Sequence, residues 1–161
     1  MPVKEFYLET SVWGCLARKQ SRDRKRIVSR LLQLLDGVQG QCVISNAVIE
    51  EIESAPTDDA SMMNHQIALR KPTVYLVSRE AKILSSKYLQ MGVLPERRLI
   101  DALHVATATC FEIDYLVSWN HRHLTRPAKR RQFEAVNHLH GFMKTPFICN
   151  PVEAIHDLRV E

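Results

Sequence analysis

The chain has little glycine and proline, with 5 and 7 of these residues among 161. So few turn-forming residues exclude a collagen-like chain and leave no room for a low-complexity linker. Long apolar runs are also absent, because even the most apolar window, residues 99–117, contains Asp101, Glu112 and Asp114. We therefore predict no membrane-spanning segment.

Cysteine is sparse and ungrouped. Cys15, Cys42, Cys110 and Cys149 form no CxxC pair and have no spacing typical of a metal site. Their neighbours are apolar, which predicts small core residues in the reduced state. Charged residues also interrupt the N-terminus before an apolar region of signal-peptide length can form. Together these features predict a cytoplasmic protein.

The chain does contain an ordinary balance of 45% hydrophobic and 25% charged residues, close to the average for soluble globular proteins. Its length predicts a single domain over residues 1–161. Strands are predicted at residues 3–8, 42–44, 73–77, 115–117 and 146–149, and helices at 11–17, 23–35, 46–55, 57–70, 78–92, 98–110 and 132–139. Short strands separated by helices predict an α/β fold with a largely parallel sheet covered on both faces.

Basic residues exceed acidic ones, with 22 Lys and Arg against 18 Asp and Glu, and they are concentrated in two clusters. Such clusters can hold a phosphate backbone, although solvated helix faces have the same composition. The first comprises Arg18, Lys19, Arg22, Arg24, Lys25, Arg26 and Arg30, and the second Arg122, Arg126, Lys129, Arg130 and Arg131.

Polar side chains follow two of the predicted strands. Ligands bind beyond the carboxyl ends of the strands in a parallel sheet. Glu9 comes directly after the first strand, and Asn120 follows the strand at residues 115–117. Asp114 precedes that same strand, so it lies at the opposite end of the sheet and is excluded.

Two predicted helices each add one acidic residue. Glu51 borders the apolar stripe of its helix, whereas Glu50 and Glu53 lie on the opposite side. Asp101 lies in the first turn of the most apolar helix, where the helix dipole favours a negative charge. His104 shares a face with Asp101, and we expect it to form a hydrogen bond with that carboxylate.

The predicted topology allows Glu9, Glu51, Asp101 and Asn120 to converge at one end of the sheet. Three carboxylates this close repel one another unless a cation neutralises them. Oxygen ligands without a cluster of His or Cys favour Mg²⁺ or Mn²⁺ over zinc. The alternative is that each acid separately caps a helix or forms a salt bridge.

Several segments, taken in order, resemble the PIN-domain family, whose best-known members are the VapC-like toxins. They are YLETSV at residues 7–12, VIS at 43–45 leading to EI at 51–52, DALHVATA at 101–108, DYLVSWN at 114–120 and PVEAI at 151–155. The resemblance implies a Rossmann-like α/β/α sandwich with a mostly parallel central sheet of about five strands. It also implies a metal-dependent ribonuclease that cuts single-stranded RNA.

The resemblance assigns roles to individual residues. Glu9, Glu51 and Asp101 match the acids that hold Mg²⁺ or Mn²⁺, and Asn120 matches a fourth catalytic position. We expect Thr10, Ser11 and His104 to support these four residues. RNA is the implied substrate, and expected contacts to its backbone come from Arg22, Arg26, Arg122, Lys129 and Arg130.

The implied partners are a small antitoxin protein and a second copy of the chain in a homodimer. The chain departs from the family where Glu9 and Asn120 replace the more usual Asp. An alternative is therefore a catalytically degenerate PIN domain that binds RNA or a protein without cutting. Trp13 and Trp119 flank the predicted site, where they either pack in the core or stack a base.

Overall fold

The computed structural model describes residues 3–17, 21–38 and 40–160. Its strands form one parallel sheet in the order β3-β2-β1-β4-β5. The strands are β1 (Phe6–Leu8), β2 (Cys42–Ser45), β3 (Thr73–Tyr75), β4 (Tyr115–Val117) and β5 (Phe147–Cys149). The predicted α/β fold with a five-stranded parallel sheet is confirmed.

Helices cover both faces of this sheet. They are α1 (Thr10–Ala17), α2 (Arg22–Asp36), α3 (Asn46–Glu53), α4 (Thr57–Arg70), α5 (Arg79–Gln90), α6 (Leu99–Cys110), α7 (Pro127–Leu139) and α8 (Pro151–Val160). Right-handed crossovers place α1 to α4 on one face and α5 to α7 on the other. The contacts agree, since α2 packs against α1 and α8, and α5 packs against α6 and α7.

The central strand β1 is fully buried between these layers. Its residues Phe6, Tyr7 and Leu8 have no exposed surface, and the Phe6 ring stacks on Tyr115 of β4 with centroids 4.2 Å apart. Strands buried on both faces have continuous apolar runs, which is why β1 and β4 were recognisable from so few residues. Trp13 is also in the core, where its indole N–H donates to the Leu8 carbonyl at 3.0 Å.

Three features differ from the sequence prediction. Helix α8 was not predicted, and α7 begins at Pro127 instead of residue 132. A short π-helical turn over His121–Thr125 fills the segment between β4 and α7. Proline at the first helical position marks the start of both missed segments, because its fixed φ suits that position.

Arg18 and Lys19 of the first basic cluster lie outside the described residues. Within the described ranges, no helix is both long enough and apolar enough to cross a membrane.

Candidate active site

The pairing of β1 with β4 brings Glu9 and the segment leading to Asn120 together. Leu8 is in register with Val117, and the Glu9 amide donates to the Val117 carbonyl at 3.1 Å. Both residues therefore lie just beyond the carboxyl ends of adjacent strands. The predicted convergence of Glu9 and Asn120 at one end of the sheet rests on this pairing.

A cavity of about 500 Å³ opens at this end of the sheet. Its lining includes all four residues predicted to converge, Glu9, Glu51, Asp101 and Asn120. Glu51 comes from α3 and Asp101 from the first turn of α6. Asp114, which the sequence excluded, lies at the other end of β4 and pairs with Lys144 at 2.7 Å.

Hydroxyl and amide donors hold Glu9 in place. Its Oε1 accepts hydrogen bonds from the hydroxyls of Ser11 and Ser118, the latter at 2.6 Å, and its Oε2 accepts from the Ser11 amide at 3.0 Å. Ser11 also accepts from the Trp119 amide at 2.9 Å. Ser11 therefore ties the start of α1 to the segment after β4, a supporting position like the one expected of it.

A buried chain of hydrogen bonds holds Glu51. Its Oε1 accepts from Thr10 Oγ1 at 2.5 Å and lies 2.6 Å from His104 Nε2. His104 Nδ1 lies 2.7 Å from the Tyr7 hydroxyl, which lies 2.6 Å from Ser45 Oγ. The prediction that His104 contacts Asp101 is wrong, because its side chain extends to the carboxylate on the neighbouring helix.

The direction of this chain follows from the donors available. An ionised Glu51 only accepts, so His104 Nε2 carries a hydrogen. In the neutral ring Nδ1 then accepts from Tyr7, and Tyr7 in turn accepts from Ser45. Ser45 Oγ also accepts from the Ala47 amide at 3.2 Å, so every polar atom of the chain has a partner.

Burial and charge act in opposite directions on the two members of this pair. Burial alone would raise the pKa of Glu51, but hydrogen bonds from His104 and Thr10 and the His104 charge lower it overall. Burial would lower the pKa of His104, whereas the Glu51 hydrogen bond and the charges of Glu9, Glu51 and Asp101 raise it overall. Each side chain thus favours the charged form of the other.

The pKa of Asp101 is raised, whereas that of Glu51 is lowered. Burial first, and then the charge of Glu9, raise its pKa to about 6. Its Oδ2 lies 3.3 Å from the Asn120 amide nitrogen and 3.8 Å from an Arg98 guanidinium nitrogen. The charges of His104 and Arg98 lower this pKa, but they do not offset burial and the charges of Glu9 and Glu51.

The donor set has the chemistry of a cation site. Ligand atoms of Glu9, Glu51 and His104 all lie within 4.8 Å of one another, and Asp101 lines the same cavity. Carboxylate oxygens are hard ligands that favour Mg²⁺ or Mn²⁺. Both nitrogens of His104 have partners, so the free ligand capacity lies on the carboxylates.

The basic residues predicted to contact the RNA backbone fall into two groups, exposed side chains and side chains with intramolecular partners. Arg22, Arg26 and Arg122 have exposed side chains, as contacts to an RNA backbone require. Lys129 instead donates to the Val93 carbonyl, and Arg130 donates to a β5 carbonyl at 3.2 Å. These last two already have intramolecular partners, and their contact with RNA stays a prediction.

Part of the second cluster lies beside the cavity. Burial, followed by the charges of Arg98, Arg122, Lys129 and Arg97, lowers the pKa of His123. The charges of these four cations therefore all act on His123, three residues after Asn120. Arg98 also approaches Asp101, so this basic group adjoins the acidic cavity.

Sequence reasoning did not single out two residues that belong to the site. Tyr7 was read only as a strand residue, yet it contacts His104. Arg24 was one of many basic residues, yet it lines the cavity and lies over the Trp119 ring, 4.6 Å from the centroid. A signal existed for Arg24, because it lies four residues before the buried Val28 and so on the same side of α2, although Arg24 itself is exposed.

Comparisons with known proteins concern the fold. No protein-family model matches the chain, and no curated protein matches it in sequence. The structure is similar to a toxin–antitoxin complex from Klebsiella pneumoniae, with a TM-score of 0.56 and 18% identity, over 78% of this chain and 94% of the other. It is similar to VapC20 from Mycobacterium tuberculosis, a toxin that cleaves the sarcin–ricin loop, with a TM-score of 0.58 and 17% identity, over 88% of this chain and 98% of the other.

A third similar structure is VapBC2 from Rickettsia felis bound to a DNA fragment from its promoter. The TM-score is 0.58 and the identity 14%, over 90% of this chain and 97% of the other. At such identities the likeness establishes the fold alone. The chain has the PIN-like fold of VapC toxins.

Proposed function

We propose that this protein is a divalent-metal-dependent endoribonuclease that cuts single-stranded RNA. The observation that carries the proposal is the convergence of Glu9, Glu51 and Asp101 in one open cavity at the carboxyl ends of β1 and β4. The same fold is found in VapC20, a toxin that cleaves an RNA loop. A site of this composition suits phosphodiester hydrolysis better than nucleophilic catalysis by a side chain.

The three carboxylates would hold Mg²⁺ or Mn²⁺, as their oxygen donors and the raised pKa of Asp101 both support. A bound cation supplies charge to the phosphate oxygens and makes water a better nucleophile. Other side chains of the protein orient these three acids. Ser11 and Ser118 orient Glu9, His104 and Thr10 orient Glu51, and the amide of Asn120 orients Asp101.

Cleavage of a labelled pool of single-stranded RNA with Mg²⁺, Mn²⁺ or EDTA tests the proposal. Glu51→Gln and Asp101→Asn should lose cleavage by a factor of at least about a hundred, since each removes a charge needed to hold the cation. Glu50→Gln is the matched control, because Glu50 is exposed on the same helix and does not line the cavity. Equal cleavage by Asp101→Asn and the unaltered protein would refute the assignment.

One observation favours a second candidate, an RNA- or protein-binding module without catalysis. Both oxygens of Glu9 already accept hydrogen bonds from Ser11 or Ser118, at a position where the family usually has Asp. Titration with Mn²⁺ separates the two candidates. A catalytic site binds the ion and cuts RNA, whereas a degenerate site retains RNA or protein binding and does neither.

We also propose that the protein is the toxin of a toxin–antitoxin pair and that it forms a homodimer. Support comes from two similar structures, the Klebsiella complex and VapBC2, whose descriptions name toxin–antitoxin assemblies. Co-expression with the product of the adjacent reading frame tests this. An antitoxin should form a stable complex with the protein and suppress cleavage, and light scattering of the isolated protein gives its oligomeric state.

A further inference from the structure

A cation with no acidic partner lines the acidic cavity. The Arg24 guanidinium lies over the Trp119 ring, with its central carbon 4.6 Å from the ring centroid. Both residues line the cavity that contains Glu9, Glu51 and Asp101. Among the described residues no carboxylate pairs with Arg24, whereas Arg98 on the opposite helical layer lies 3.8 Å from Asp101.

A guanidinium that lies over an aromatic ring can still donate hydrogen bonds to a ligand. A cation–π contact uses no hydrogen-bond acceptor, so N–H donors of the guanidinium remain available to a ligand. Those donors match two phosphate oxygens, and a held guanidinium loses less conformational freedom on binding than a free one. Arg24 on Trp119 therefore has the geometry of a preorganised anion site.

The indole of Trp119 gives a second, independent observation. Its N–H is buried and has no acceptor within the part of the chain that the structure describes. Buried donors are normally paired, so an unpaired one next to a free cation indicates a polar site that a ligand completes. The nearby carboxylates repel a phosphate, so a polyanion needs a cation at the rim in order to approach.

We infer that Arg24, held by Trp119, binds one backbone phosphate of the RNA strand at the rim of the carboxylate cavity. The inference rests on the proposed ribonuclease function and adds a defined substrate contact to it. Trp119 is then a positioning residue that acts through Arg24. The other cations of the first cluster, such as Arg22 and Arg26, add diffuse attraction without this fixed contact.

The test is a double-mutant cycle between protein and RNA. Single-stranded oligonucleotides that the protein cuts are made with one uncharged methylphosphonate at each position in turn, and binding is measured in an Asp101→Asn background that prevents cleavage. With Arg24 present, neutralising one particular phosphate should weaken binding by about tenfold or more, because a charge-assisted hydrogen bond is lost. With Arg24→Met, unmodified RNA should bind about tenfold more weakly, and that same neutral position should cause no further loss.

Matched variants distinguish loss of this phosphate contact from loss of one positive charge elsewhere on the surface. Trp119→Leu should behave like Arg24→Met, whereas Trp119→Phe, which keeps an aromatic face but lacks the indole N–H, should weaken binding by less than Trp119→Leu does. Arg159→Met removes one exposed positive charge in the last turn of α8 and should leave the cycle unchanged. Arg24→Met should also lower the slope of log K against log salt by about 0.7, the value for one phosphate contact on a single strand.

Additive losses at every position, or unchanged affinity in Arg24→Met, would overturn the inference while leaving the ribonuclease proposal intact. If the unaltered protein neither binds nor cuts RNA, the proposed function fails and the phosphate contact fails with it. The two failures are distinguishable because the first occurs in a protein that still cuts RNA.

Discussion

At the scale of single residues, the carboxylates of the site differ in the direction of their pKa shifts because their neighbours differ. Glu51 has His104 at 2.6 Å, and its pKa is lowered overall. Asp101 has the charges of His104 and of Arg98, the latter at 3.8 Å, but burial and the charge of Glu9 outweigh them and raise its pKa to about 6. The pKa values of two acids that line one cavity are therefore shifted in opposite directions from their ordinary values.

This imbalance predicts how stability changes with pH in metal-free buffer. The folded pKa of Asp101 is about 6, above the ordinary value near 4, so its favourable contribution is complete below about pH 4 and is lost as the pH rises through about 6. Asp101→Asn removes this loss. The variant should gain about 2–3 kcal/mol relative to the unaltered protein between pH 4 and pH 7.

Urea unfolding in EDTA at several pH values measures this difference. Glu50→Gln is the control, since the exposed Glu50 should show no comparable trend. A difference between Asp101→Asn and the unaltered protein that stays constant from pH 4 to pH 7 would show that Asp101 is not strained by its surroundings.

The hydrogen-bond chain behind Glu51 gives a second prediction. Tyr7→Phe keeps the ring but leaves His104 Nδ1 and Ser45 Oγ without their shared partner. We expect a loss of about 1–3 kcal/mol in unfolding free energy, because buried polar atoms become unsatisfied. We also expect kcat to fall by about tenfold with little change in KM, because these hydrogen bonds orient Glu51, one of the acids proposed to hold the cation, and lie behind it in the interior.

Tyr88→Phe is the matched control for this prediction. Tyr88 is also fully buried, and its hydroxyl donates to Asn137 away from the cavity. It should lose similar stability and keep its kcat. If both variants lose kcat equally, the effect of Tyr7 is only structural.

Residues of this supporting kind were harder to predict than the acids. Glu9, Glu51 and Asp101 were recognisable because an unpaired carboxylate beside a buried element costs free energy, so its presence indicates a specific partner. Tyr7 sits in a strand that is apolar throughout, so its hydroxyl gave no signal of its own. The partner of His104 was predicted wrongly because i to i+3 spacing describes one helix, whereas the actual contact joins α6 to α3.

At the scale of elements, short runs of apolar and β-branched residues predicted the strands, including β3, whose residues are partly exposed. All five strands were found, because each is a short run of apolar residues between turn-forming or polar ones. Helix α8 was missed although Pro151, Ala154 and Leu158 have helical spacing. Its ten residues carry a mixed pattern that becomes distinct only when α2 is known to pack against it.

One buried amide links several elements and gives a prediction at this scale. Asn137 of α7 is fully buried, accepts from Tyr88 of α5, and donates to Thr109 of α6 at 3.2 Å and to Thr145 before β5 at 3.0 Å. Asn137→Ala should lower the unfolding free energy by about 2–3 kcal/mol, because three partners lose a hydrogen bond in the interior.

The catalytic constants of the folded Asn137→Ala protein should be unchanged, since this network does not reach the cavity. Chemical denaturation and RNA cleavage by the same samples measure both quantities. Asn64→Ala, at an exposed position on α4, is the control for stability. A loss of cleavage in Asn137→Ala that exceeds its unfolded fraction would show that α7 contributes to the site.

At the scale of the whole molecule, a net charge of +4 coexists with a concentrated negative site. The basic residues near the cavity come from both helical layers, Arg24 on one and Arg98 on the other. Such an arrangement attracts a polyanion over a broad surface while keeping the carboxylates free for a cation. The proposed cation and the proposed RNA strand would therefore bind at adjacent positions.

Because the carboxylates repel one another only when folding brings them together, a cation that neutralises them must stabilise the native state. We expect Mn²⁺ at a hundred times its dissociation constant to add about 2.7 kcal/mol, which for a chain of this size raises Tm by about 5–10 °C. Differential scanning calorimetry with Mn²⁺, Mg²⁺ and EDTA measures the shift. Asp101→Asn and Glu51→Gln should lose most of it, and Glu50→Gln should keep it. A shift that is equal in all four proteins would mean that the ion binds elsewhere, and no shift in any of them would favour the non-catalytic binding module.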